Sequence, residues 1–161
     1  MTSIVLAIDP GPVESAWCLI DADTCKPLAF DKQGNEVVRK YLRATPADTL
    51  AVEMVASYGM AVGAEVFETC VWIGRFLEVS EDNPWIFRRQ RHTRSPVKLH
   101  HCHDSRAKDT NIRQALVDRF APGQPNHGKG TKAEPGWFYG FRADVWQAYA
   151  LAVYVADTSK P

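Results

Sequence analysis

The sequence predicts an α/β fold built on a mixed five-stranded sheet, with three antiparallel strands first, parallel strands after them, and helices on its faces. Three observations predict it. A continuous apolar run near the N-terminus is typical of a strand buried on both faces. Two more strand-like runs follow it at hairpin spacing. Helical patterns then separate the later strands, as the parallel part of such a sheet requires.

The length and composition are those of an ordinary globular chain. The 161 residues predict a single domain, residues 1–161, large enough to bury a core. Apolar residues make up 45% and charged residues 24%. No run is long enough to span a bilayer, and the N-terminus lacks the basic region of a secretory signal. The four scattered cysteines predict reduced thiols in a cytoplasmic compartment.

The first strand, residues 3–9, ends in a carboxylate. Pro10 and Gly11 follow Asp9 at once, a pair that breaks a strand and starts a turn. We therefore expect the Asp9 side chain at the carboxyl edge of a central strand. A lone buried charge is unfavourable there, and a divalent cation would compensate it. An aspartate that only caps the next turn is the alternative.

The next two strands are predicted over residues 15–21 and 26–30, with a hairpin-like turn at 21–24. A second turn is predicted at 33–35. The helix that follows, residues 36–43, shows the 3.6-residue period of an amphipathic segment. Its predicted inner stripe is Val37, Val38, Tyr41 and Leu42.

A fourth strand, residues 49–55, repeats the pattern of the first. It is apolar except for one carboxylate near its end, Glu53. A helix follows over about 62–77, in which Trp72 and Phe76 lie between the apolar and the charged face. These two aromatic residues either pack in the core or form a contact between subunits. The predicted apolar face of this helix is Val66, Cys70, Ile73 and Leu77.

A dense basic segment follows a short strand predicted at 85–87. Residues 1–87 hold 6 Lys or Arg against 13 Asp or Glu, whereas residues 88–161 hold 13 against 6. Such a segment fits a surface that contacts the phosphate backbone of a nucleic acid. A solvated loop paired with the acidic half is the alternative. The candidate contacts are Arg88, Arg89, Arg91, Arg94 and Lys98.

Two helices and a long loop complete the chain before the last helix. Pro96 is expected in the first turn of one helix, and Asp109 caps a second helix that runs to Phe120. Residues 121–140 are rich in Pro and Gly, which predicts a functional or mobile loop whose aromatic end packs down. The closing helix, residues 143–156, is apolar nearly all round and should lie against the sheet.

The run from His100 to His103 also has to be weighed as a zinc site. Structural zinc needs about four ligands that converge tetrahedrally. Adjacent residues on a helix point in different directions, so at most His100 and His103 share a face. No Cys-x-x-Cys pair completes the set. Histidines at a surface or near DNA are favoured over zinc ligands.

Three carboxylates on separate elements suggest a shared metal site. Asp9 and Glu53 interrupt apolar strands, and Asp144 opens the last helix. Mg²⁺ would compensate them, because hard cations bind carboxylate oxygens. Two ions would activate an attacking water and stabilise a leaving oxygen. For Asp144, an acid that is simply favoured by the helix dipole is the alternative.

Taken in order, these segments resemble the RuvC-type Holliday-junction resolvases, a family with a ribonuclease H-like fold. The resemblance covers nearly the whole chain and is closest to the short phage-encoded branch. The first motif alone is weakly specific, since many phosphate-binding strands end in Asp-x-Gly, and the ordered set is more specific. The matching segments are residues 7–11, 51–55, 105–116 and 144–148, together with the rest of the closing helix.

The resemblance implies that Asp9, Glu53 and Asp144 bind catalytic Mg²⁺ or Mn²⁺, two ions per active site. It also implies that Lys108 touches the cleaved strand. The family often places a second acid three residues into the last helix. Here that position is Gln147, which offers a metal a carbonyl oxygen but no charge.

The resemblance further implies an aromatic residue that stacks at the opened centre of the junction. Tyr58 is the nearest candidate, with Met60 as a wedge beside it. Stacking on an unpaired base is worth about 1–3 kcal/mol, which favours opened DNA over intact DNA. A tyrosine that packs on the following helix is the alternative.

The implied function is a metal-dependent endonuclease that cleaves Holliday junctions and other branched DNA. Paired cuts require two active sites and therefore a homodimer. The implied location is the cytoplasm of a bacterium or of a phage-infected host, with no membrane and no nucleotide cofactor as partner. The alternatives are a junction-binding module with weak or no cleavage, and a ribonuclease H-type enzyme on RNA–DNA hybrids. A sugar-kinase-like ATPase is disfavoured because no later glycine-rich phosphate loop appears.

Overall fold

The computed structural model describes residues 3–160, so the outermost bounds of the predicted domain lie outside the described residues. Five strands form one sheet: β1 (Ile4–Asp9), β2 (Glu14–Asp21), β3 (Pro27–Gly34), β4 (Thr49–Glu53) and β5 (Arg88–His92). Their order across the sheet is β3-β2-β1-β4-β5. The pairs β3–β2 and β2–β1 are antiparallel, whereas β1–β4 and β4–β5 are parallel. The predicted mixed sheet is confirmed.

Five helices connect and cover these strands: α1 (Asn35–Ala44), α2 (Ala64–Ser80), α3 (Arg94–Cys102), α4 (Asp109–Phe120) and α5 (Val145–Thr158). Among residues 3–160, no helix combines the length and the apolar character needed to cross a bilayer. The predicted bounds of α1, α4 and α5 differ from the observed ones by two residues or fewer.

The two faces of the sheet carry separate apolar layers because successive side chains of a strand point to opposite faces. In β1, Val5 and Ala7 pack in the layer that contains α5. Leu6 and Ile8 pack in the other layer, with side chains of α1 and α2. The predicted position of the closing helix against the sheet is confirmed, and its apolar character follows from burial on nearly all sides.

The strand prediction at 85–87 is wrong. Trp85 and Phe87 are exposed, and the strand is instead the basic segment from Arg88 to His92, which pairs with β4. An edge strand needs hydrogen bonds on one side only, and charged side chains protect its free edge from pairing with other chains. The basic segment is therefore ordered by its backbone, with no need for an apolar pattern.

The predicted turn at 33–35 is also wrong, since β3 continues to Gly34 and α1 begins at Asn35. On α2, Trp72 and Phe76 are buried against the sheet, so the interpretation of these two as a subunit contact is incorrect. The helix is rotated relative to the predicted stripe: Val66 and Cys70 are only half-buried. Trp72 and Phe76 fill the apolar layer on this face of the sheet, because burial of their larger apolar surfaces contributes more to stability than burial of Val66 and Cys70 would.

The long loop after α4 folds back on α5, as predicted for its aromatic end. Trp137 stacks on Phe120 with ring centroids 5.4 Å apart, and its Nε1 donates a hydrogen bond to the Tyr149 hydroxyl at 3.1 Å. Phe138 is fully buried. Gly128 has a φ of 80°, and a Cβ there would lie 2.7 Å from the Cβ of Ala121, so only glycine fits.

The histidine run has structural partners. His100 Nε2 lies 2.7 Å from Asp157 Oδ2, and His101 Nε2 lies 2.8 Å from the carbonyl oxygen of Ala150. Burial lowers the pKa of His101. In the part of the chain that the structure describes, no three His, Cys, Asp or Glu side chains are grouped as a metal centre. These histidines attach α3 to α5.

Candidate active site

The carboxylate of Asp9 stands at the end of the central strand β1, where it is only 8% exposed. The turn behind it is fixed by a polar network. The Gly11 N–H donates to Ser15 Oγ at 3.2 Å, Ser15 Oγ donates to Asn35 Oδ1 at 2.6 Å, and Asn35 Nδ2 donates to the Gly11 carbonyl at 2.9 Å. A Cβ on Gly11 would lie 2.4 Å from the carbonyl oxygen of Glu14. The hydrogen bonds and the absence of a Cβ at Gly11 fix the turn that follows Asp9 at this edge of the sheet.

Glu53 leaves the sheet beside Asp9. Because β1 and β4 are parallel and Ile8 pairs with Val52, the following residues emerge next to each other at the carboxyl ends of both strands. Alternation from Ala7 and Ala51, which pack in the layer of α5, places both side chains on that face. The sequence pattern of two apolar strands, each ending in an acid, therefore produces adjacent carboxylates.

The electrostatics of this pair are unfavourable for two free anions. Burial is the largest cause of a strongly raised Asp9 pKa, and contact with the Glu53 carboxyl and repulsion from it raise the pKa further. The positive charge of Arg94 opposes these effects, and the negative charge of Asp144 adds to them. Burial and the neighbouring carboxyl group therefore disfavour the ionised form of Asp9.

Arg94, the first residue of α3, lies between the acids. Its Nε is 2.5 Å from Glu53 Oε1, its Nη2 is 3.8 Å from Asp9 Oδ2, and its Nη1 is 3.4 Å from Asp109 Oδ1. Arg94 follows β5, whose His92 pairs with Glu53, so strand pairing delivers the guanidinium to the carboxyl end of β4.

Asp144 begins α5 and is half-exposed at 51% of its side-chain surface. The residue before it, Ala143, has a φ of 46°, a sharp turn that directs the chain into the helix. Lys32 Nζ lies 2.9 Å from Asp144 Oδ2. One helical turn on, Gln147 lines a narrow cleft that also contains Glu53. Asp144 and Gln147 thus border the acidic pair from the side of the helix.

A separate open cleft of 270 Å³ lies over Asp9 and Glu53. The segment after β4 forms one wall of it, and that segment contains no helix or strand between Met54 and Gly63. Such a cleft can admit a phosphate group and water to the carboxylates. Its other lining residues are Pro10, Met54, Val55, Ala56, Tyr58, Thr69 and Arg94.

The donor chemistry of the acidic pair fits a hard divalent cation. No group of three acidic, histidine or cysteine side chains converges as a metal centre within residues 3–160, and Asp144 is paired with Lys32. Asp9 and Glu53 nevertheless stand at neighbouring strand ends, and Asp9 is buried. Carboxylate oxygens are the ligands that Mg²⁺ and Mn²⁺ take from proteins.

Comparison with known proteins supports the fold. No protein-family model and no curated protein sequence matches this chain. The structure is similar to that of Thermus thermophilus RuvC, with a TM-score of 0.63, 14% identity and 96% coverage of each chain. It is also similar to T. thermophilus RuvC in complex with a Holliday junction substrate, with a TM-score of 0.61, 13% identity, and coverage of 98% of this chain and 96% of that one. The chain has a ribonuclease H-like fold.

Within this ribonuclease H-like fold, the predicted DNA contacts occupy different settings. Arg88, Arg89 and Arg91 are all exposed on β5, but Arg89 alone of the three has a side-chain hydrogen-bond partner among the described residues. Arg89 donates to Ser80 Oγ at 2.7 Å and to the Ser80 carbonyl at 2.8 Å, so it binds the C-terminus of α2. Lys98 is half-buried on α3 and lines the cleft that holds Gln147.

Two more predicted contacts are exposed. Lys108 immediately precedes α4, and its backbone N–H donates a hydrogen bond to the Asn111 side chain at 2.9 Å. The Lys108 side chain itself is exposed to solvent. Tyr58 is 71% exposed, and Met60 close to it is 78% exposed. The structure does not pack Tyr58 on the following helix.

Lys32, Ser15 and Asn35 are site residues that the sequence analysis does not identify. Asp9 pairs with Ala16 across β1 and β2, and Ala16 pairs with Lys32 across β2 and β3. Lys32 therefore belongs to the same row and face of the ribonuclease H-like sheet as Asp9. Its position follows from the register of β2 and β3, which can be assigned only once the length of β3 is known.

Proposed function

We propose that this chain is a metal-dependent endonuclease that cleaves Holliday junctions and other branched DNA by hydrolysis of a phosphodiester. The observation that carries the proposal is the adjacent pair of Asp9, which is buried, and Glu53, which is half-buried, at the carboxyl ends of β1 and β4. The similarity to RuvC with a bound Holliday junction supports the choice of substrate. Hydrolysis of a phosphodiester at these strand ends is compatible with the ribonuclease H-like fold of the chain.

The proposed cofactor is Mg²⁺ or Mn²⁺, two ions per site, held by Asp9, Glu53, Asp144 and Gln147. When bound, such ions polarise a phosphoryl oxygen and lower the pKa of a water that attacks it. The protein supplies the rest. Asp9 and Glu53 stand at the ends of neighbouring strands, and Asp144, now paired with Lys32, is proposed to join them.

The proposed path of the DNA follows the basic residues. Arg88, Arg91 and Lys108 have exposed side chains, and cations of this kind neutralise backbone phosphates without reading sequence. Arg89, Arg94 and Lys98 complete the proposed set. Tyr58, exposed beside the cleft, is proposed to stack on a base at the opened centre of the junction.

Symmetrical cuts in two strands require two active sites, so we propose a homodimer. With Trp72 and Phe76 in the core, the available surface is the outer face of α2. Phe67 and Val71 lie one helical turn apart on that face and are 63% and 52% exposed. Apolar residues clustered on an exposed helix face are typical of a protein contact.

The decisive experiment is cleavage of a synthetic four-way DNA junction in Mg²⁺, compared with linear and flapped DNA. Asp9→Asn is expected to abolish cleavage and to retain junction binding. Asp23→Asn, the same change at an exposed aspartate in the turn between β2 and β3, is the control and should leave cleavage unchanged. Thermal unfolding of each variant establishes that both are folded. Cleavage that survives in Asp9→Asn would contradict the catalytic assignment.

A junction-binding module with weak or no cleavage is the second candidate. Two observations favour it: Gln147 brings no charge to the site, and Arg94 already partly neutralises the acidic pair. Nicking in Mg²⁺ and in Mn²⁺ separates the two candidates, and Gln147→Asp should raise nicking if charge is limiting. Retained binding with no nicking in either metal identifies a module. Preferential cleavage of an RNA–DNA hybrid would instead indicate a ribonuclease H-type enzyme.

We also propose that the chain belongs to the short phage-encoded branch of RuvC-type resolvases. The segments 105–116 and 144–148 support this assignment. The four free thiols, at Cys18, Cys25, Cys70 and Cys102, are compatible with action in the reducing cytoplasm of a bacterium or an infected host.

A further inference from the structure

Arg94 occupies the space in which a cation is needed. Its guanidinium contacts carboxylates from three elements: Glu53 of β4 at 2.5 Å, Asp109 of α4 at 3.4 Å and Asp9 of β1 at 3.8 Å. The two strand acids are the proposed metal ligands, and each has an oxygen directed at the same side chain. We propose that Arg94 is a resident counter-ion that a divalent cation must displace, and that the displaced guanidinium then binds a DNA phosphate. This inference rests on the proposed function.

The local position of Arg94 is unfavourable without the acids. It is the first residue of α3, and no acidic residue lies in that first turn. A helix N-terminus carries a partial positive charge, so a cation there is repelled. The ion pairs with Glu53 and Asp9 outweigh this repulsion. An arginine keeps its positive charge at all accessible pH values.

The guanidinium and a metal cannot both hold these oxygens. A divalent ion on Asp9 and Glu53 would lie within a few ångströms of the guanidinium, and like charges at that separation repel. Arg94 is free to leave, because its side chain is 39% exposed and lines the open cleft. Metal binding should therefore require the side chain to swing out of the acidic pair.

The released guanidinium needs another anion. A phosphate accepts two parallel hydrogen bonds from arginine, and the cleft that Arg94 lines is the one through which a phosphate would reach the carboxylates. A DNA strand in the cleft would stabilise the released position and so strengthen metal binding. By linkage, bound metal would strengthen DNA binding by the same factor. Arg94 would thus couple the two ligands.

The test is a titration with Mn²⁺, followed by the electron paramagnetic resonance signal of the free ion, on the full-length chain without DNA. Arg94→Met is expected to bind Mn²⁺ about 10-fold more tightly than the wild type, because no guanidinium competes. Arg94→Lys should fall between them, since a lysine keeps the charge but not the planar contacts. Arg43→Met is the control, because Arg43 pairs with Asp82 at 4.0 Å on the far side of the sheet.

A second readout comes from thermal unfolding. In EDTA, Arg94→Met should unfold at a lower temperature than the wild type, because the acids lose their counter-ion. In saturating Mn²⁺ the difference should shrink or reverse. A four-way junction should tighten Mn²⁺ binding by the wild type and have little effect on Arg94→Met.

The outcomes separate this inference from the proposed function. Equal or weaker Mn²⁺ binding by a folded Arg94→Met, while the wild type binds the ion, overturns the displacement alone. No Mn²⁺ binding by the wild type or by either Arg94 variant overturns the metal site itself, and the displacement with it. Tighter binding by Arg94→Met that Arg43→Met does not share supports both.

Discussion

Lys32 Nζ lies 2.9 Å from Asp144 Oδ2, an ion pair that joins the edge strand β3 to the residue that immediately precedes α5. The two residues are 112 positions apart. Hydrogen bonding to Asp144 raises the pKa of Lys32. The pair gives the exposed Asp144 carboxylate a cationic partner beside the acidic pair.

Lys32→Met should change the free energy of unfolding by less than about 1 kcal/mol, because both partners are solvent-exposed and such pairs contribute little. The variant should bind Mn²⁺ more tightly than the wild type, since Asp144 is then free to turn inward. Urea denaturation measures the first quantity and Mn²⁺ titration the second. Lys40→Met, at an exposed position of α1, is the control. Unchanged Mn²⁺ affinity would show that the pair does not restrain Asp144.

Asp157 predicts a pH-dependent contribution to stability. Its burial favours the protonated form, but hydrogen bonds from Arg119 and His100 outweigh burial and lower its pKa from 3.8 to about 2. A carboxyl group whose pKa is lower in the folded state stabilises the protein above its unfolded pKa. That contribution is therefore full above about pH 4 and is lost as the pH falls from about 4 to about 2.

Asp157→Asn should lower the free energy of unfolding by about 1–2 kcal/mol at neutral pH, after allowance for solvent screening. The difference from wild type should disappear near pH 2. Urea denaturation at a series of pH values measures it, with Asp118→Asn on the exposed face of α4 as the control. A difference that stays constant down to pH 2 would contradict the assignment of the low pKa to Asp157.

Gly11→Ala should be destabilising by about 1–3 kcal/mol, the usual effect of forcing an extra methyl group into a closely packed place. The new Cβ would lie 2.4 Å from the Glu14 carbonyl oxygen, so the turn after Asp9 must shift. Gly34→Ala is the matched control, because a Cβ there meets nothing within 4 Å. Chemical denaturation should separate the two variants, and junction cleavage should fall only in Gly11→Ala. Similar stability of both would show that the turn is adaptable.

The sequence reveals the acidic pair because its signal is local. Each strand is a short apolar run interrupted by one acid, at Asp9 and at Glu53, and parallel pairing alone makes the two acids neighbours. The strand β5 has no such signal. Its residues Arg88–His92 form a strand because their backbone pairs with β4. No apolar pattern within the segment predicts this pairing.

The position of Arg94 depends on the same pairing. As part of a basic segment it is predicted to contact phosphate, and the sequence gives no reason to place it among the acids. Once β5 pairs in parallel with β4, with His92 opposite Glu53, the chain emerges at the carboxyl edge two residues before Arg94. Lys32 likewise requires the β2–β3 register. Sequence patterns thus predicted the anions of the site and missed the cations that pair with them.

Phe67→Glu should weaken the proposed homodimer. The side chain is 63% exposed on the outer face of α2, next to Val71, and a buried unpaired charge would disfavour association. Sedimentation velocity should show a shift from dimer to monomer at micromolar concentration. Leu28→Glu, at an exposed apolar residue of β3 on the opposite edge of the sheet, is the control and should remain dimeric. A dimeric Phe67→Glu would place the interface elsewhere.

Arg89 and Arg91 lie on the same strand and should respond differently to loss of charge. Arg89 donates hydrogen bonds to the side chain and the carbonyl of Ser80, which satisfies a carbonyl at the end of α2. Arg89→Met should therefore lower the free energy of unfolding by about 1–2 kcal/mol. Arg91 is exposed, so Arg91→Met should leave stability within about 0.5 kcal/mol of the wild type.

Junction binding should show the complementary difference. If Arg91 contacts a phosphate, Arg91→Met should weaken binding to a four-way junction and reduce the slope of log affinity against log salt concentration by about 1. Arg89→Met should change that slope less, because its guanidinium is already engaged by Ser80. Fluorescence anisotropy from 50 to about 200 mM salt covers the range in which phosphate contacts weaken strongly. An unchanged slope in Arg91→Met would remove Arg91 from the proposed DNA contacts and leave Arg88, on the other face of β5, and Lys108, before α4, as the exposed candidates.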